Sequence, residues 1–243
     1  MARLTRREMK HDELVSTVAA LTAVAERHRR SIVVTAGAIL LLAGAVTAGV
    51  IYSHSRRNAA LDLLAAVQMA AASPVLDTQT AATALGSSPY TSEKQKYEDV
   101  ARLAERVLSQ YPSSQAARWA IYWKALAEHK LGSEDAALQT ITRLSEQTTE
   151  GFLHTAALLL EAQIQEARGE PGTAAQIYAR VADEAPEQFP VEVALMGQAR
   201  MLEEQGQHEQ ALDIYRRLTQ EYPESPFAGE ASAKLGGAGS NRL

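Results

Sequence analysis

No cysteine occurs anywhere in the 243 residues. Disulfides, thiolate nucleophiles and thiolate metal sites are therefore excluded. Aromatics are few, at 5% of the chain, and alanine is abundant, a composition that suits close-packed helices better than sheets. A strong positive charge is also missing. The net charge of −5 gives no case for nucleic-acid binding. The recurrent signatures of chemistry are absent too: no Gly-rich phosphate loop, no G-x-S-x-G and no H-E-x-x-H. The six histidines, at 11, 28, 54, 129, 154 and 208, lack metal-ligand spacing with one another or with a carboxylate pair. Glu203 and Glu204 are adjacent on a predicted helix, so their side chains diverge and read as a solvated face rather than a catalytic dyad. The chain is expected to be non-enzymatic, to need no metal or other cofactor, and to take no small-molecule substrate.

One stretch lacks charge altogether. "SIVVTAGAILLLAGAVTAGVIY", residues 31–52, is 22 residues long. As a helix it measures about 33 Å, enough to cross a hydrocarbon core of about 30 Å. A buried helix of a soluble protein and a cleaved signal peptide are the alternatives. The flanking "ERHRR" and "HSRR" and the complete polar domain that follows argue against the first. The length of the leading segment and of the apolar core argues against the second. Residues 31–52 are thus predicted to be an uncleaved transmembrane helix. Gly44-x-x-x-Ala48 and Ala45-x-x-x-Gly49 give it small-residue spacings at which a second helix can approach closely.

Charge is divided across this segment. Residues 1–30 hold seven Arg/Lys and four Asp/Glu, a net +3, which leaves 17 basic and 25 acidic residues for 31–243, a net −8. Arg27, Arg29 and Arg30 outweigh Arg56 and Arg57, so the basic tail is expected in the cytoplasm and the acidic body across the membrane. In a bacterium with an outer membrane, this is a single-pass inner-membrane protein with a periplasmic carboxyl-terminal domain.

The body is repetitive. "GQHEQALDIYRRLTQEYPES" (206–225) has counterparts 37 residues back in "GEPGTAAQIYARVADEAPEQ" (169–188), then in "GSEDAALQTITRLSEQTTEG" (132–151), then in "QKYEDVARLAERVLSQYPSS" (95–114). Gly132, Gly169 and Gly206 fall at the turn. Ala137, Ala174 and Ala211 precede Ile141, Tyr178 and Tyr215 by one helical turn, and Val107, Leu144, Val181 and Leu218 follow. A further helix precedes each glycine, with Ala125, Ala162 and Ala199 in register. A constant period over four copies predicts an all-α solenoid of helical hairpins. Ser92-Glu93-Lys94-Gln95 reads as a capping box, Ser133 as a helix start and Pro171 as a first-turn proline.

The small–small–aromatic–proline set resembles the tetratricopeptide repeat over residues 92–235. It departs from that family in its period, 37 against about 34, and in lacking Trp and Leu-Gly early in the first helix. The residues "EQF" (187–189) absorb part of the difference. The expected organisation is a basic tail (1–30), the membrane helix (31–52), a linking helix at about 55–72 with a degenerate first unit (53–91), the repeat domain (92–235) and a flexible tail (236–243).

This layout resembles the family of membrane-anchored ancillary subunits of the bacterial Sec translocon. That resemblance implies translocon subunits, periplasmic chaperones or secreted clients as partners. Repeats of outer-membrane-assembly and cell-division-coordinator proteins are similar to "YPESPFAGEASAKLGG", which leaves a structural or adaptor role in envelope assembly or division as the alternative. Lipoproteins of that kind need a cysteine that this chain lacks.

Binding is expected on the concave wall formed by the first helix of each unit. The inward rows are Trp119, Ala156, Val193; Tyr122, Leu159, Met196; Leu126, Gln163, Arg200; and His129, Glu166, Glu203. Trp119, Tyr122, Leu126, Leu159, Gln163, Met196 and Arg200 are the candidate contact residues, with packing between helices as the competing role for the apolar ones. Trp123 reads as core. The Asn/Lys set with which some tetratricopeptide proteins grip a terminal carboxylate is absent.

Overall fold

The computed structural model describes residues 29–76 and 90–240. Most of the basic tail, the "GSSP" stretch of the first unit and the last three residues lie outside it. The chain divides into two compact units, Met1–Arg56 and Arg57–Leu243.

Helix α1 (Arg29–Ala72) contains the whole uncharged segment. Leu40, Leu41 and Leu42 are 73%, 77% and 66% exposed at three consecutive positions, so within the chain this stretch has no buried face. Gly44, Ala45, Ala48 and Gly49 are exposed too, and nothing lies within 4 Å of a Cβ built on either glycine. Among the described residues no helix is long and apolar enough to cross a membrane. The side chains of residues 31–33, 35, 36 and 39 are outside the description, so the apolar run enters that statement only in part. The expected linking helix at 55–72 ends where predicted, but no helix break separates it from the apolar segment. Its end has a local cause. Ser73 precedes Pro74 and is thereby steered away from helical backbone, and its hydroxyl turns back onto the Met69 carbonyl at 2.7 Å.

The second unit alternates first and second helices of a hairpin. α2 (Glu93–Gln110), α4 (Glu134–Gln147), α6 (Pro171–Glu184) and α8 (His208–Glu221) are second helices; α3 (Gln115–Lys130), α5 (Phe152–Ala167) and α7 (Glu192–Glu204) are first helices. α9 (Ala228–Ser240) closes the stack. Each helix packs on the next, and successive first helices also touch. Second helices end at 110, 147, 184 and 221 and first helices at 130, 167 and 204, each series stepping by 37.

The turn within each hairpin explains this regularity. Gly132, Gly169 and Gly206 have φ of 76°, 75° and 71°, a left-handed conformation that costs a residue with a Cβ about 1–2 kcal/mol. In each turn the glycine N–H bonds the carbonyl three residues back, and the following N–H bonds the carbonyl five back: Ser133 to Glu128, Glu170 to Gln165 and Gln207 to Leu202, at 2.9, 3.0 and 2.9 Å. These are Schellman closures, and they satisfy carbonyls that the helix end would leave orphaned.

Ser92 caps α2 as expected by accepting from the Gln95 N–H at 3.2 Å. The return arm differs: the Gln95 side chain accepts from the Thr91 N–H at 3.1 Å and from its hydroxyl. Ser133 starts α4 but makes no side-chain cap. Its ψ of 60° differs from the 151° and 158° at which Ser92 and Ser114 cap their helices.

The repeat alanines Ala125, Ala162, Ala199, Ala137, Ala174 and Ala211 are buried, as are Ile141, Tyr178, Tyr215, Leu144, Val181 and Leu218. The small residues set helix separation, and the larger ones fill the space between, each worth about 1.5–3 kcal/mol on burial. Ala60, Leu64, Val67 and Ala70 of α1 join Val100, Ala104 and Val107 of α2 in one core cluster, so 57–72 serves as the first helix of the degenerate unit. At the other end α9 runs to Ser240, five residues into the segment expected to be a tail. Gly236 and Gly237 lower helix propensity by about 1 kcal/mol each but supply no steric stop.

Candidate protein-binding face

α3, α5 and α7 line a hollow of about 370 Å³. Their small residues bring the backbones close, and the inward side chains then form its floor and rim. Gln163, Met196 and Arg200 converge here, together with His129, Glu166 and Phe227. Glu166 anchors the polar side. Its Oε2 accepts from the Tyr178 hydroxyl at 2.7 Å and its Oε1 pairs with Arg200, tying α5 to α6 and α7. Burial raises the Tyr178 hydroxyl far above its usual range, and the Glu166 bond adds to that, so it remains a donor. One unit on, Glu203 takes Lys234 of α9 at 2.6 Å. Burial first, and then the nearby Glu203 carboxylate, raise the Tyr215 hydroxyl pKa as well. His129 Nδ1 sits 2.7 Å from Glu134 Oε2.

The predicted contact residues separate into groups. Met196 is only 3% exposed and belongs to the core under α7, so it forms floor and not an accessible anchor in the free chain. Phe227 of the closing segment packs on the same cluster and lines the same hollow. Leu159 and Tyr122 are half-buried against that core, and Leu126 packs on the cluster below α5. Tyr122 touches both clusters, and its own burial raises its hydroxyl pKa. Trp119 and Trp123 pack on the first core, and the Trp123 indole N–H is buried without an acceptor.

A feature the repeat arithmetic does not single out is an aromatic row. Trp119 lies 6.1 Å edge-on from Tyr122 and 6.5 Å from Phe152, and Phe152 lies 5.2 Å from Phe189. Tyr122 continues the row to Trp123 at 5.6 Å. Phe152 opens α5, and Phe189 sits in the turn before α7, its N–H on the Pro186 carbonyl at 2.8 Å. The two are 37 residues apart, a signal present in the sequence but hidden because Glu187–Phe189 reads as a spacer. Phe152 is 51% exposed, and from Tyr90 onward it is the one large apolar side chain so exposed among the described residues.

Glu166, the hollow's carboxylate, uses both oxygens, one on the Tyr178 hydroxyl and one on Arg200. Among the described residues no group of His, Asp and Glu is placed to hold a metal.

No curated protein matches the chain at a significant level. The Tetratricopeptide repeat family matches residues 193–225, which span α7, the Gly206 turn, α8 and Pro223. Repeats of this type are typically non-catalytic and serve protein–protein interaction, and no catalytic family matches. The chain is an all-helical repeat protein that contains a tetratricopeptide repeat.

Proposed function

We propose that this protein is a membrane-anchored scaffold whose repeat body binds segments of other proteins along the wall of α3, α5 and α7. The observation that carries the reading is that wall itself: a hollow bordered by Gln163 and Arg200, and on the same helices a row of aromatic rings of which Phe152 is exposed. The half-exposed Phe152 ring and the half-buried Trp119, both on helices, supply contact area at little entropic cost, the usual anchors of a protein interface.

The anchor is residues 31–52. Support comes from the lack of charge in the segment and from the consecutive exposed leucines at 40–42, which leave that stretch of α1 without a polar face. The arginine asymmetry supports a cytoplasmic amino terminus and a periplasmic body. Gly44, Ala45, Ala48 and Gly49 offer a face for a neighbouring membrane helix. In its specific form the proposal is a link between the Sec translocon and periplasmic chaperones or secreted clients, supported by the layout of tail, anchor and repeat body.

Crosslinking in intact membranes followed by pull-down in mild detergent tests this form. Recovery of translocon subunits with folding factors is expected. Recovery of division or wall-synthesis proteins instead would overturn it in favour of an envelope-assembly adaptor.

A further inference from the structure

The partner's chemistry can be read from what surrounds the aromatic row, taking the scaffold reading as given. Phe152 and Phe189 are carried by the links that enter α5 and α7, and those links are acidic. Glu150 lies two residues before Phe152, Glu187 two before Phe189, and Glu192 three after it. Glu166, Glu203, Asp135 and Asp183 are each paired with a cation. Among the described residues Glu150, Glu187 and Glu192 have no ion-pair or side-chain hydrogen-bond partner. Arg118, one residue before Trp119, is the one cation in the same neighbourhood of the sequence. Three carboxylates within three residues of Phe152 and Phe189, beside the half-exposed Phe152 ring, give this surface a defined preference. A guanidinium or ammonium group gains from the π-face and from the carboxylate together, while its aliphatic stem covers the ring.

We propose that the Phe152 ring, with the half-buried Trp119 beside it and the buried Phe189 behind it, docks a segment of a partner protein in which arginine or lysine alternates with apolar residues. The apolar residues cover Phe152 and Trp119, and the cations reach Glu150, Glu187 and Glu192. Acidic or purely neutral segments lack the second half of this match and are repelled by, or indifferent to, the same carboxylates.

The chain reports on this surface directly, because its two tryptophans are Trp119 and Trp123. The probe is a synthetic peptide alternating arginine and leucine, titrated into the full chain in neutral detergent and followed by tryptophan emission. A peptide that merely enters detergent around α1 is silent, since that helix holds no tryptophan. The expected result is a saturable emission change that weakens with salt, with no such change for a glutamate–leucine peptide of equal length. Phe152→Ala is expected to weaken binding by about tenfold or more while leaving the melting midpoint in place, as for an exposed interface anchor. Glu150→Gln with Glu187→Gln is expected to flatten the salt dependence. Equal response to the acidic peptide, or binding unchanged in Phe152→Ala, would overturn the inference. If no peptide binds while photocrosslinks to other proteins persist from Leu159 and Gln163, this inference fails and the scaffold reading stands. Loss of those crosslinks as well would remove both.

Discussion

The ring of Tyr178 lies directly over the backbone of Gly197: a Cβ built on that glycine would fall 2.6 Å from Tyr178 Cζ and 2.7 Å from Cε1. The ring has little room to retreat, because its hydroxyl is held by Glu166 at 2.7 Å. Second helix α6 and first helix α7 meet through this contact. A glycine within a helix normally costs about 1 kcal/mol relative to alanine, so Gly197→Ala would stabilise an open site. Here overpacking, at about 1–3 kcal/mol, opposes that gain and wins. Gly197→Ala is expected to lower the melting temperature of the chain, and Gly237→Ala, which meets nothing within 4 Å in α9, is expected to hold or raise it.

Ala211 is 1% exposed and occupies in the last unit the place of Ala137 and Ala174. Ala211→Leu is expected to destabilise by about 1–3 kcal/mol, read from chemical denaturation midpoints. An unchanged midpoint would mean that α7 and α8 are not in the close contact described.

This part of the fold was legible in the sequence because close packing leaves a periodic trace. Gly132, Gly169 and Gly206 mark the turns, and the alanines mark the contacts, each at the same interval. Features that break the interval were not legible. Met196 shares a row with Tyr122 and Leu159, yet it lies in the core cluster against which Phe227 of the closing segment also packs. The Phe152–Phe189 stack arises between loops of different length, 37 residues apart but read on one side as a helix start and on the other as a spacer. The extent of α9 was missed because its glycines signal a tail by composition, while helix ends are set by stop signals that this stretch lacks.

The buried Tyr90 hydroxyl donates to Asp99 Oδ2 at 2.7 Å. Burial first, and then this bond and the carboxylate charge, push its pKa up to about 12 from 10.0. Between these values the folded chain keeps a proton that the unfolded chain releases. The contribution is therefore complete below about pH 10 and is lost as pH rises towards about 12. Tyr178 and Tyr215 are displaced in the same direction. Denaturation midpoints are expected to fall between about pH 10 and about pH 12, with a shallower fall in Tyr90→Phe. An equal fall in wild type and variant would assign the alkaline sensitivity to other groups.

The proposed topology makes a separate prediction. A reporter active only in the periplasm should work when fused after Leu243 and fail when fused within residues 1–25, as the Arg27, Arg29 and Arg30 cluster requires. Activity of a cytoplasm-only reporter at the carboxyl end would reverse the orientation and the partner list with it.

The central claim is that the first-helix wall is where other proteins bind, and site-specific photocrosslinking in intact cells tests it most directly. A photoreactive residue at Leu159 or Gln163 samples the wall, and one at Gln176 or Arg180 samples the exposed side of the second helix α6. The account predicts discrete adducts with another protein from 159 and 163 and none from 176 and 180. Adducts confined to 176 and 180, or none from the wall while the anchored chain is folded and abundant, would contradict it.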